Sequence, residues 1–152
     1  MRRAAIVYES KFGNTAKVAE AVADALRSSG FDEVRSETVE SADVNKVATY
    51  KVIFVGSPNH MGGPTRRIRK LLRSLAAFDL SDRRVCFFDT YIGGDFEKAV
   101  GKMHNEFRAR NDTADIIPPG LSLRVEGMKG PLAEGELAKV TDFVRAAIGG
   151  EG

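Results

Sequence analysis

A length of 152 residues suits a single domain with one core. Hydrophobic content of 43% and charged content of 29% are ordinary for a globular chain, and no stretch is long and apolar enough to cross a bilayer. The net charge of +2 argues against a dedicated nucleic-acid binder, and a lone cysteine, Cys86, excludes an intramolecular disulfide and fits a reducing cytoplasm. Met1-Arg2-Arg3 has the positive start of a signal peptide, but the apolar stretch before Glu9 is too short for one, so no export signal is expected.

The first expected strand is Ala4–Tyr8. A helix follows, with Val18, Val22 and Leu26 recurring every four residues and Ser29-Gly30 as its stop. A weaker strand covers Val34–Val39, and Ser41–Tyr50 has room for a short helix. Val52–Val55 reads as a strand. Pro64 then suits the first turn of a helix whose apolar face is Ile68, Leu71, Leu72 and Leu75. Val85–Phe88 is the next strand, with Cys86 as a buried strand thiol. Phe96, Val100, Met103 and Phe107 give a further helical face. A broken apolar run, Ile116–Val125, precedes a last helix with Leu137, Val140, Val144 and Ile148 on one side. Residues 149–152 are expected to form a loose tail. Short continuous apolar runs suit strands buried on both faces, so the alternation predicts one α/β domain around a parallel sheet.

In such sheets ligands bind beyond the carboxyl ends of the strands. Three polar, glycine-bearing segments fall there: Glu9–Thr15, Gly56–Pro64 and Asp89–Asp95. In the first, Gly13 allows a sharp turn, and Ser10, Asn14 and Thr15 offer donors beside a helix N-terminus. That set suits a phosphate bound without a metal or a P-loop lysine. The same residues equally suit an ordinary helix cap by Asn14 or Thr15. The second segment is stiff at Pro58 and yielding at Gly62-Gly63, and can set backbone groups against a flat heterocycle. Tyr91 in the third can stack on a planar ring. His60 and Met61 read equally well as ordinary loop residues. His60 and His104 are isolated and no CxxC occurs, so no metal site is expected.

The chain resembles the flavodoxins. The resemblance rests on Ile6-Val7-Tyr8, Ser10, Gly13, Thr15, Ala19 and Val22, on Gly56-Ser57-Pro58, on Ala114–Gly127 (ADIIPPGLSLRVEG) and on Leu137–Ile148. It covers essentially the whole chain. No long insertion interrupts the fifth strand region, as in the short-chain type. The resemblance implies a flavodoxin-like three-layer sandwich with a five-stranded parallel sheet in the order 2-1-3-4-5, a strand order for which flavodoxins are themselves a standard example. It implies non-covalent FMN. Ser10, Phe12, Gly13, Asn14 and Thr15 would hold the phosphate. Ser57, Pro58, Asn59, His60, Met61, Gly62 and Gly63 would line one side of the ring, and Thr90, Tyr91, Gly94 and Asp95, with Phe96, the other. Met61 or His60 would replace an aromatic that the family often carries in the second loop. The implied role is a carrier, not an enzyme, shuttling single electrons between redox proteins through the flavin semiquinone and hydroquinone. The peptide at Gly62 or Gly63 would turn to accept the proton on flavin N5.

One feature departs from the acidic family pattern: the pI is about 8.8, and Arg66, Arg67, Arg69, Lys70 and Arg73 crowd one helix. They read either as a solvated face or as a docking site for acidic redox partners. Neither nucleic acid nor membrane is expected as a partner, and the chain is expected to be a monomer or weak dimer. The alternative function is an FMN-dependent NAD(P)H:quinone-type reductase on the same fold. A receiver domain would need an aspartate where Ser57 or Asn59 stands, and a low-molecular-weight phosphatase an arginine where Ile92 stands.

Overall fold

The structure is a computed structural model and describes residues 1–149. The elements in chain order are β1 (Arg3–Tyr8), α1 (Asn14–Ser28), β2 (Glu33–Thr38), α2 (Val44–Val47), β3 (Val52–Pro58), α3 (Arg66–Leu75), β4 (Arg84–Tyr91), α4 (Lys98–Arg110), β5 (Asp115–Ile116), β6 (Leu121–Arg124) and α5 (Lys139–Ile148). The strands form one parallel sheet in the order β2-β1-β3-β4-β5, and β6 also pairs with β4.

The fifth strand position is therefore filled by two short pieces. β5 pairs with Arg84-Val85 and β6 with Phe88–Tyr91. Between them lie Pro118, Pro119 and Gly120. Proline has no N–H to give a ladder. Gly120 has φ +88°, and a Cβ there would sit 2.9 Å from the Phe87 carbonyl oxygen.

Period-two alternation sorts the strand residues between two cores. Ala5, Val7, Ile53, Val55, Val85 and Phe87 face α2, α3 and α4. Ala4, Ile6, Val52, Phe54, Cys86 and Phe88 face α1 and α5. The helices answer with the expected stripes: Val18, Val22 and Leu26, and Ile68, Leu71, Leu72 and Leu75, are all buried. Gly30, at φ +90°, ends α1 in the left-handed conformation that a helix stop favours. Cys86 is fully buried, and burial pushes its thiol well above the usual range. A thiol reagent such as dithionitrobenzoate is expected to leave the native protein unlabelled and to react only on unfolding.

Four expectations change. Phe96 precedes α4 and is 55% exposed, because that helix begins at Lys98. Leu137 likewise stands before α5 and is exposed. Pro64 lies outside α3: Thr65 is the cap, its hydroxyl accepting from the Ile68 N–H at 3.3 Å. β3 and β4 run on to Pro58 and Tyr91, because Ser57 pairs with Asp89 and Pro58 with Thr90. The tail expectation falls on residues 149–152. The Gly149 carbonyl accepts from Arg84 at 2.7 Å, and residues 150–152 lie outside the described residues.

Candidate functional site

The carboxyl ends of β1, β3 and β4 open on one rim. With β2 on one side of β1 and β3 on the other, the strand order reverses at β1. That reversal leaves a crevice at the strand ends.

The first loop is held by Ser10. Its Oγ accepts from the Gly13 N–H and the Ala16 N–H, both at 3.1 Å. Gly13 sits at φ 91° with nothing within 4 Å of a Cβ position, so the turn stands open to the rim. Neither Asn14 nor Thr15 caps the helix; both lie in its first turn. Their N–H groups are among those that a helix N-terminus leaves without intrahelical carbonyls. The Thr15 hydroxyl is 2.8 Å from that of Thr90, which joins the first rim segment to the third. Asn14 is turned elsewhere: a Cβ on Gly130 would lie 2.7 Å from its Oδ1, so its amide packs beneath the loop after β6.

The second and third segments are also tied together. The Asn59 N–H donates to the Thr90 carbonyl at 2.7 Å, and its side-chain Nδ2 donates to Asp95 at 2.8 Å. Asn59 Oδ1 is buried and has no partner within the protein. Ser57 Oγ accepts from the Thr65 N–H at 3.0 Å and donates to the Pro58 carbonyl at 2.9 Å. This stiffens the start of the loop. Its tip is a tight turn closed by reciprocal backbone bonds between His60 and Gly63, at 2.7 and 3.1 Å. Both central residues are left-handed, Met61 at φ 51° and Gly62 at φ 80°. The glycine requirement thus falls on Gly62, not Gly63. Met61 and His60 are exposed. The Tyr91 ring meets Phe96 edge-on, with centroids 5.7 Å apart. Gly94 is exposed beside it.

Asp95 carries the local charge balance. Lys98 beside it, then Asn59, hold its carboxyl below the ordinary range. Asp89, beneath the third segment, goes the other way. Burial pushes it up to about 6, against hydrogen bonds from the Ser122 hydroxyl at 2.6 Å and the Val100 N–H at 3.0 Å. The same serine oxygen accepts from the Glu97 N–H at 2.9 Å. Asp89 and Ser122 therefore anchor the start of α4, and with it the third loop. Sequence reading missed this pair, and also missed Gly130 under Asn14 and the buried, unpartnered Glu9 Oε1. Only an acid in an apolar strand, next to Phe88, hinted at the first of them.

The family model described as a flavodoxin domain matches residues 5–121. The chain belongs to the flavodoxin family. A flavodoxin of Aquifex aeolicus (strain VF5) is 39% identical over 62 residues, which cover 41% of this chain and 34% of that protein. The match thus spans about a third of that relative. In structure, the chain is similar to a short-chain flavodoxin associated with a non-canonical PDU bacterial microcompartment. The TM-score is 0.82 at 18% identity, covering 97% of each chain. It is also similar to the rubredoxin oxygen:oxidoreductase of Desulfovibrio gigas, with a TM-score of 0.78 at 15% identity. That likeness covers 97% of this chain but only 35% of the other. These likenesses extend the flavodoxin fold over nearly all of the chain. Only residues 117–120 separate β5 from β6, in keeping with the short-chain type.

Proposed function

We propose that this chain binds FMN at the rim and carries single electrons between redox proteins. The observation that supports it most is the tying of three segments around one crevice: Thr15 to Thr90, and Asn59 to both Thr90 and Asp95. The residues present fit the cofactor. Ser10, Thr15 and the open first turn at Gly13 suit a phosphate. The unpartnered Asn59 Oδ1 is an acceptor waiting for a donor, which a flavin edge carries. Phe12, Ser57, Pro58, His60, Met61, Gly62, Gly63, Tyr91 and Gly94 complete the proposed lining, and Asn14 joins it through its backbone N–H in the first turn of α1, not through its side chain.

Bound there, FMN would supply one-electron chemistry. The chain itself binds and orients. The N-terminus of α1 places a partial positive charge at the phosphate end. Tyr91 offers a ring face, and the stiff Ser57-Pro58 base excludes water from one side. The left-handed Gly62 leaves its peptide free to turn, so one backbone group there can present either its N–H or its neighbour's carbonyl. A reducing cytoplasm is the proposed setting, supported by the lone cysteine. Among the described residues no helix is long and apolar enough to cross a membrane.

Calorimetry with FMN is expected to show one site, and the loaded protein two absorption bands, in the blue and the near-ultraviolet. Thr15→Val removes the hydroxyl that meets Thr90 and is expected to weaken FMN about tenfold, or ~1.4 kcal/mol, while Thr15→Ser retains affinity. An absence of heat over a wide concentration range would refute the reading. Steady-state oxidation of NAD(P)H with a quinone would turn it into a reductase instead.

A further inference from the structure

Resting on that reading, we propose that the α3–α4 face and the apolar tips of the rim loops together form the docking surface for an acidic redox protein. The two helices carry nine lysines and arginines and a single carboxylate, Glu106. The rest of the chain holds fourteen basic residues against twenty acidic ones. The small net charge therefore hides a polarised molecule, basic on one flank and acidic elsewhere.

Several of these cations are not spent on internal pairing. Arg67 reaches Glu9 and Glu40, and Arg69 reaches Glu106. Among the described residues Arg66, Lys70, Arg73 and Lys102 make no ion pair, and all four are exposed. A small groove between the helices is lined by Arg69, Arg73 and Arg110, with Glu106 as its lone acid.

The basic face runs directly into the rim. A Cβ on Gly62 would lie 3.8 Å from Lys102 Nζ, and one on Gly63 2.7 Å from a terminal nitrogen of Arg69. Exposed apolar side chains stand here: Met61, at 91% exposure, in the turn itself, and then Ile92 and Phe96 on the third segment. An apolar centre bordered by charge is the anatomy of a protein–protein contact. The cations supply orientation and encounter rate, and the apolar tips supply burial close to the crevice. The acidic remainder disfavours a long polyanion or an anionic membrane, which would meet repulsion outside this one flank.

The test titrates the nitrogen-15-labelled, FMN-loaded protein with the acidic soluble domain of cytochrome b5, followed by backbone amide shifts. Phosphatidylglycerol vesicles and duplex DNA are run in parallel. Shifts are expected in α3, the first half of α4 and the His60–Gly63 turn, with affinity falling about tenfold between about 20 mM and about 200 mM salt. The variant Arg66→Glu/Lys70→Glu/Arg73→Glu should lose binding about tenfold or more while keeping its FMN affinity and circular dichroism. No shifts, shifts centred on α1 and α5, or tighter binding to vesicles or DNA would overturn the proposal. The same titration on apoprotein reads the face without the cofactor, so failure of docking and failure of FMN binding are separate results.

Discussion

Replacing Gly56 with alanine is expected to lower the stability by about 3 kcal/mol and the melting temperature by about 10 °C. Gly56 lies in β3 between Tyr8 on β1 and Phe88 on β4. A Cβ there would stand 2.0 to 2.6 Å from three ring atoms of Phe88. That ring is fully buried in the core beneath α1 and α5, so it cannot swing into solvent. Overpacking of this kind forces an off-rotamer ring or a backbone shift. The double variant Gly56→Ala/Phe88→Leu makes room for the methyl. In that background the alanine should cost at least ~1 kcal/mol less, a coupling that chemical denaturation resolves. Equal costs in both backgrounds would mean that the ring is not what excludes the methyl.

Asp89 is expected to make the protein more stable in mild acid than at neutrality, by its own contribution. Its carboxyl holds a proton more tightly folded than unfolded, with the value raised from 3.8 to about 6. The contribution is therefore greatest below the unfolded value. It is lost as pH rises from about 4 through about 6, and amounts to about 3 kcal/mol over the window. Asp95 and Glu136, held below their ordinary range, act in the opposite sense as pH falls. The measurable quantity is thus the difference between the wild type and Asp89→Asn at each pH. Asparagine keeps an acceptor for the Val100 N–H and carries no charge, so it should gain on the wild type as pH passes from 4 to 7. Asp89→Ala leaves the Val100 N–H and the Ser122 hydroxyl without their partner, and is expected to cost about 2 kcal/mol at pH 4. A pH-independent difference between wild type and Asp89→Asn would rule out this carboxyl as the titrating group.

What could be read from the sequence was what repeats or clusters locally. Val18, Val22 and Leu26 announce their shared face by spacing, and each is buried where that spacing puts it. The apolar strands and their order followed from short continuous runs and the resemblance. Periodicity failed at helix starts: Phe96 and Leu137 keep the spacing of α4 and α5 but precede their first turns, and a repeat carries no mark of where hydrogen bonding begins. At the rim, Ser10 and Gly13 were legible as a turn, yet the capping hydroxyl turned out to be Ser10, not Asn14 or Thr15. The contacts that place Asn14 and Asp89 join residues 116 and 33 positions apart, Asn14 to Gly130 and Asp89 to Ser122. Folding alone brings such residues together. The basic flank was half visible, because α3 concentrates its cations in eight positions while α4 spreads its own over thirteen.

The divided fifth strand bears on how copies of the chain treat one another. An intact outer strand offers a ladder on which a neighbour can polymerise. Here β5 is two residues long, and at the end of β6 the outward groups of Arg124 are already taken, its N–H donating to Glu136 and its carbonyl accepting from Ala133. At the opposite border β2 presents Glu33, Arg35 and Glu37. Short pieces at one margin and charged side chains at the other both disfavour growth by strand addition.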